Sequence, residues 1–139
     1  MSDLQKLKQV TEAAYQAEQA KLQDILQQEG DLRQALAELD DRRSSAQSLP
    51  PDQLAAPRAI GADLLWQGWA QRTRQDLNMR LARVLVSKAD RMAAMTRAFG
   101  RAEVVKSLQT DQKTARRKEA LDRAQRADEA LALLRAYNS

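Results

Sequence analysis

The side chains that could do chemistry in this sequence are carboxylates and cations: 19 Asp and Glu against 23 Lys and Arg, with no His and no Cys. Without imidazole the chain lacks the commonest general base and metal ligand. Without thiols it lacks disulfides, zinc knuckles and a sulfur nucleophile. The four glycines, at positions 30, 61, 68 and 100, are too scattered to form a phosphate cradle. No carboxylate constellation, P-loop or Gly-rich loop stands out, so the chain is not expected to be an enzyme or to hold a metal, a cofactor or a small-molecule substrate. Binding chemistry is left, and three features offer it. Trp66 and Trp69 lie one helical turn apart beside Leu64 and Leu65, and four large apolar side chains exceed what one facing helix covers. A long segment follows Gly100. Within it, Arg116-Arg117-Lys118 forms a basic run. Each has a plainer reading: knobs closing a helix seam, a self-standing or self-associating helix, and a solvated face.

These features need elements to present them, and the prolines outline those elements. Pro50, Pro51 and Pro57 are the only prolines and sit within one short stretch. Proline removes an amide donor and clashes inside a helix, so the segments on either side are free to be helical. The spacing predicts helix 1 over about 3–43, a proline-containing turn over about 44–56 and helix 2 over about 57–136. The expected fold is all-α: two long helices in an antiparallel coiled-coil hairpin, a single domain over 1–139 with the second helix longer and overhanging. Only one Phe, two Tyr and two Trp are present, which argues against a thick globular core.

Ser2 and Gln5 have the spacing of a capping box at the start of helix 1. Apolar residues then recur as Leu4, Leu7, Val10, Ala14, Ala17, Leu22, Ile25, Leu32, Leu36 and Leu39, mostly three or four apart. Gly30 interrupts this helix at a cost of about 1 kcal/mol relative to Ala. Pro57 suits the first position of helix 2, where its missing donor would be unpaired anyway. The second stripe reads Trp66, Trp69, Thr73, Leu77, Leu81, Val84, Lys88, Met92, Met95 and Phe99, about 3.67 residues per step, close to an eleven-residue repeat. If positions 43 and 57 are level across the turn, residue i faces roughly residue 100 − i, setting Phe99 and Met95 against Leu4 and Leu7. Everything after about Gly100 then overhangs, including a stripe of Ala120, Ala124, Ala127, Leu131 and Leu134 supported by Glu119–Arg123 and Asp122–Arg126 pairs.

Charge is divided unequally. Residues 1–50 carry 9 acidic and 6 basic side chains, a net of −3, and residues 51–139 carry 10 and 17, a net of +7. The halves attract each other, and the second keeps surplus positive charge for a partner. The amino terminus opens directly into a polar periodic segment with no apolar run, which leads to an expected location in the cytoplasm.

Leu64-Leu65-Trp66-Gln67-Gly68-Trp69, Gln75-Asp76-Leu77-Asn78 and Ala98-Phe99-Gly100-Arg101-Ala102-Glu103 leading to Leu108 resemble the flagellar export protein FliJ and the type III secretion YscO group. The likeness covers most of the chain as architecture and only this middle part as residues. It implies a non-enzymatic stalk or escort protein of a flagellar or type III secretion export apparatus. Such a protein binds a hexameric export ATPase, whose activity it regulates, and a membrane-embedded export gate. By position, Leu65, Trp66, Trp69 and Thr73 would lie at the gate-binding surface, on the side away from helix 1. Arg116, Arg117, Leu131 and Leu134, in the overhang, would meet the ATPase ring. The implied location is cytoplasmic or peripheral at the inner face of the cell membrane.

Two other classes fit the same composition. The basic second helix suits a nucleic-acid-binding protein, whose affinity would fall steeply with salt. A plain structural coiled coil would dimerise through the overhang. The hairpin reading expects a monomer without membrane insertion, and the dimer reading expects doubled mass.

Overall fold

In a computed structural model, which describes residues 2–47 and 57–139, the chain forms two α-helices: α1, Asp3–Gln47, and α2, Pro57–Tyr137. This is the all-α, two-helix architecture expected, with the second helix the longer. The capping box forms as read: the Ser2 amide donates to Gln5 Oε1 at 3.3 Å and the Gln5 amide to Ser2 Oγ at 3.2 Å. Pro57 is the first residue of α2, where its fixed φ fits. Helix α1 runs four residues further than predicted, through Ser44-Ser45-Ala46-Gln47. Proline restricts only its own position and the residue before it, so Pro50 bears on Leu49 and leaves 44–47 free to continue the helix. Pro50, Pro51 and the rest of the predicted turn from 48 to 56 lie outside the described residues. Both helices continue without a break through Gly30 and Gly100.

The contacts divide the chain into two compact units, one of residues 17–96 and one of residues 1–16 with 97–139. Each contains an antiparallel pair built from a piece of α1 and a piece of α2.

In the unit of residues 17–96, α1 turns Glu18, Leu22, Ile25, Glu29, Leu32, Leu36 and Leu39 inward. The steps alternate four and three, a strict heptad pattern. Helix α2 answers with Trp66, Ala70, Thr73, Leu77, Leu81, Val84, Lys88, Arg91 and Met95. These steps alternate likewise except for two successive fours at Thr73-Leu77-Leu81, a single stutter. The eleven-residue reading of α2 is thereby corrected: Trp69 and Met92, 43% and 46% exposed, give way to Ala70 and Arg91. The error arose from favouring the larger apolar residue at each step, whereas a close helix pair admits small and long polar side chains at some layers.

The register also differs from the expectation. Asp40 meets Arg74 at 3.2 Å and Glu29 meets Lys88 at 2.8 Å, so residue i faces roughly 115 − i and not 100 − i. The earlier count assumed that the two helices are level at the turn. Instead Gln47 comes level with about residue 68, and α2 starts about three turns beyond that point.

In the other unit, α1 contributes Leu4, Lys8, Thr11 and Tyr15, and α2 contributes Ala98, Ala102, Val105 and Gln109. Ala98, Ala102 and Val105 are 3–5% exposed, and these small side chains let the backbones approach. Tyr15 packs against Phe99, their ring centroids 5.5 Å apart at an interplanar angle of 55°, the tilted arrangement that aromatic quadrupoles favour. Phe99 therefore pairs with Tyr15, and Leu4 and Leu7 lie beside Leu108, in place of the predicted Phe99 and Met95. Thr11, though buried, donates to the carbonyls of Leu7 and Lys8, each at 3.0 Å, which satisfies its hydroxyl within its own helix. Leu7, Val10, Ala14 and Ala17, placed on the stripe by sequence, are exposed. From 110 to 139 every residue of α2 is exposed, so this stretch is the overhang.

The corrected stripe has a direct consequence for stability. Leu22→Ala removes a buried side chain and is expected to cost about 2–3 kcal/mol, whereas Val10→Ala, at a position 64% exposed, is expected to cost less than about 0.5 kcal/mol. Urea unfolding of both variants measures the difference, and comparable losses would restore the stripe read from sequence.

Candidate interaction surfaces

Near the start of α2, the helical path distributes the four gate candidates over different directions. Trp66 and Thr73 are half-buried against α1, Trp69 is 43% exposed at the edge of the seam, and Leu65 is 76% exposed on the outer face. Leu64, 63% exposed, and Ile60, 50% exposed, join Leu65 outside. The two indoles straddle the last turns of α1. Trp66 lines a hollow of about 380 Å³ with Asp40, Arg43 and Arg74, and Trp69 lines one of about 240 Å³ with Glu38, Arg42 and Thr73. Trp66 and Thr73 thus serve the helix pair, and the surface available to a partner is Leu64, Leu65 and the outer part of Trp69. An apolar patch of this kind is an ordinary anchor for a protein partner.

The four ring candidates share one property. Arg116, Arg117, Leu131 and Leu134 all lie in the exposed stretch of α2, with Leu131 at 51% and Leu134 at 58%. The expected Glu119–Arg123 ion pair is replaced by a contact in which Arg123 Nε donates to the Glu119 carbonyl oxygen at 3.4 Å.

Sequence reasoning missed the most buried charge. Glu29 is 9% exposed and accepts from Lys88 Nζ at 2.8 and 3.3 Å, with Arg33 Nη2 3.9 Å away. The Lys88 hydrogen bond holds the Glu29 carboxyl below its ordinary value of 4.5; burial opposes this, and the charges of Lys88 and Arg33 reinforce it. Eleven residues away on α1, Glu18 reaches Lys21 at 3.4 Å and Arg91 at 3.9 Å, and its Oε2 is buried with no hydrogen-bond partner among the described residues. The available signal was the heptad count itself, because stepping four from Ile25 and three back from Leu32 both arrive at Glu29.

A buried ion pair adds little net stability over an apolar pair but penalises wrong arrangements. Sliding one helix by a heptad would set Glu29 against Leu81 or Met95, and Lys88 against Leu22 or Leu36. Every such slip strands a charge on an apolar layer, so the pair specifies the register.

Among the described residues no cluster of three or more Asp or Glu is placed to hold a metal ion. Among the described residues, no helix is long and apolar enough to cross a membrane. No family model matches the chain, and neither a curated protein nor a solved structure matches it.

Because the Glu29 carboxyl titrates below its ordinary value when folded, the pair contributes stability above about pH 4.5 that is lost as pH falls through the folded value. Glu29→Gln is therefore expected to lie below the parent chain in Tm at pH 7, with the gap closing toward pH 3. Thermal melts followed by circular dichroism at both pH values measure this, and a gap independent of pH would contradict the assignment.

Proposed function

We propose that the chain is a non-enzymatic stalk or escort protein of a flagellar or type III secretion export apparatus. In this reading it binds a hexameric export ATPase through the overhang of α2 and a membrane export gate through the outer face near the start of α2. The observation that carries the proposal is the pairing of an 81-residue helix with one of 45, which leaves residues 110–139 exposed at every position. A helix without a partner rarely persists on propensity alone, so an overhang of this length makes physical sense as half of an assembly. The residue resemblance around Leu64–Trp69 and Ala98–Leu108 supports the same reading. The protein acts in the cytoplasm, at the inner face of the cell membrane, as a monomer that engages both partners.

The gate contact is assigned to Leu64, Leu65 and Trp69, while Trp66 and Thr73 hold the helix pair. Purified protein is expected to raise the activity of a cognate export ATPase, and removal of the residues after 108 is expected to abolish that effect. Leu65→Glu is expected to weaken binding to the export-gate protein by about tenfold, the loss of one buried anchor, without changing ATPase stimulation. Absence of stimulation by the full chain, or stimulation that survives the truncation, overturns the proposal.

A further inference from the structure

Between Leu77 and Met95 the inward residues of α2 keep strict heptad spacing, which fixes what the far side of the helix presents. Met79, Ala82, Val86, Ala89, Ala93 and Thr96 follow one another at steps of three and four, about 150° around the axis from the inward residues. All six are exposed, Met79 at 59% and Val86 at 65%. None is charged. Leu85 and Met92, 38% and 46% exposed, border this face on one side, and the exposed Arg83 and Asp90 border it on the other. Every one of these residues belongs to the unit of residues 17–96. Helix α2 thus carries a second seam, with one apolar flank and one charged flank, that α1 does not cover. A helix face that merely meets water is polar.

Arg83 and Asp90 are one heptad apart and opposite in sign, and neither forms an ion pair among the described residues. One heptad outward the sequence continues the alternation, with Asp76 on one side and Arg97 on the other, although Asp76 is also held by Arg80 at 3.0 Å. Read from the opposite end, the order of signs is inverted, so the charged flank is complementary to itself.

We propose that this face takes a second copy of the chain, antiparallel, about a two-fold axis passing between Val86 and Ala89. Val86 then meets Ala89 of the second copy, Ala82 meets its Ala93, and Met79 meets its Thr96, so every layer is uncharged. In an antiparallel pair each flank faces its own kind: Leu85 lies beside Met92 of the second copy, and Arg83 beside its Asp90. Two-fold symmetry forms each of these contacts twice. A slip of one heptad sets Arg83 on Arg83 in one direction and Asp90 on Asp90 in the other. A parallel copy would lay Leu85 and Met92 along Arg83 and Asp90, apolar against charge. Nucleic acid is repelled by Asp90 and has no use for Met79 and Val86.

About ten residues a side is fewer than the roughly 20–30 of a standard interface, so the dimer is a reversible form of the free chain, populated at high concentration. It goes beyond the export reading and does not depend on it. Leu64, Leu65, Trp69 and residues 110–139 lie outside the face, and the monomer remains the form that engages partners.

Sedimentation equilibrium of the full chain from about 1 μM to about 1 mM, the range of weak association, is expected to show the mean mass rising from one chain toward two. Arg83→Asp alone and Asp90→Arg alone are each expected to weaken the dimer by at least about tenfold, because each turns two attractive contacts into two like-charged ones. Both substitutions in one chain are expected to restore the parent's affinity to within about threefold, and an equimolar mixture of the two single variants to do the same. Val86→Asp, which sets a charge beside the two-fold axis, is expected to weaken the dimer by about tenfold or more. Circular dichroism checks that every variant keeps the helix content of the parent.

A chain that stays monomeric throughout overturns the proposal, as do single reversals without effect or a double reversal as weak as either single one. A doubled mass that Leu131→Ser with Leu134→Ser abolishes and Val86→Asp leaves intact assigns self-association to the overhang and overturns it as well. A dimer with the expected pattern stands whether or not the chain stimulates an export ATPase.

Discussion

Two helices can hide only one stripe of each from water, and in the unit of residues 17–96 the central layer of that stripe is an ion pair, Lys88 Nζ to Glu29 at 2.8 Å. The pair cannot be exchanged for a neighbouring one, because the residues a heptad away on either helix are apolar. Its contribution is therefore to choose among alignments. Since the described core holds only six buried hydrophobic residues, three of them Ala, apolar area alone discriminates weakly between registers. A thin seam needs a charge to define it.

The alignment so chosen decides which residues remain for partners. Because α2 starts about three turns beyond the level of Gln47, Trp66 and Trp69 come to rest on either side of the last turns of α1, while Leu64 and Leu65 face away. Had the helices been level at the turn, both indoles would have lain deeper along the pair. The candidate surface near the start of α2 is thus narrower than its sequence suggests: one indole edge and two leucines. In the other unit, close approach over Ala98 and Ala102 gives way, from residue 110 onward, to a helix whose every side chain is exposed.

The large features of the fold were legible: two helices, their order, the capping box at Ser2 and Gln5, the entry at Pro57 and the overhang. These depend on local rules, namely the incompatibility of proline with a helix interior, the geometry of a first turn, and the length of uninterrupted helical sequence. What misled was the identity of the inward residues. Leu7 and Val10 read as seam because they are apolar, yet Lys8 and Thr11 occupy it. A lysine can bury its stem while its ammonium reaches water, and a threonine can satisfy its hydroxyl on its own helix, so polarity is a poor guide in a seam one residue wide.

The sequence by itself thus determined that the protein is a pair of unequal helices and how each begins, since those properties follow from residues near one another in the chain. Only the tertiary structure decided the register, the burial of Glu29 against Lys88, and the division of the four gate candidates between seam and surface. Register is a relation between residues about sixty positions apart, such as Glu29 and Lys88, and no local preference encodes it. It is settled by which layers meet without stranding a charge.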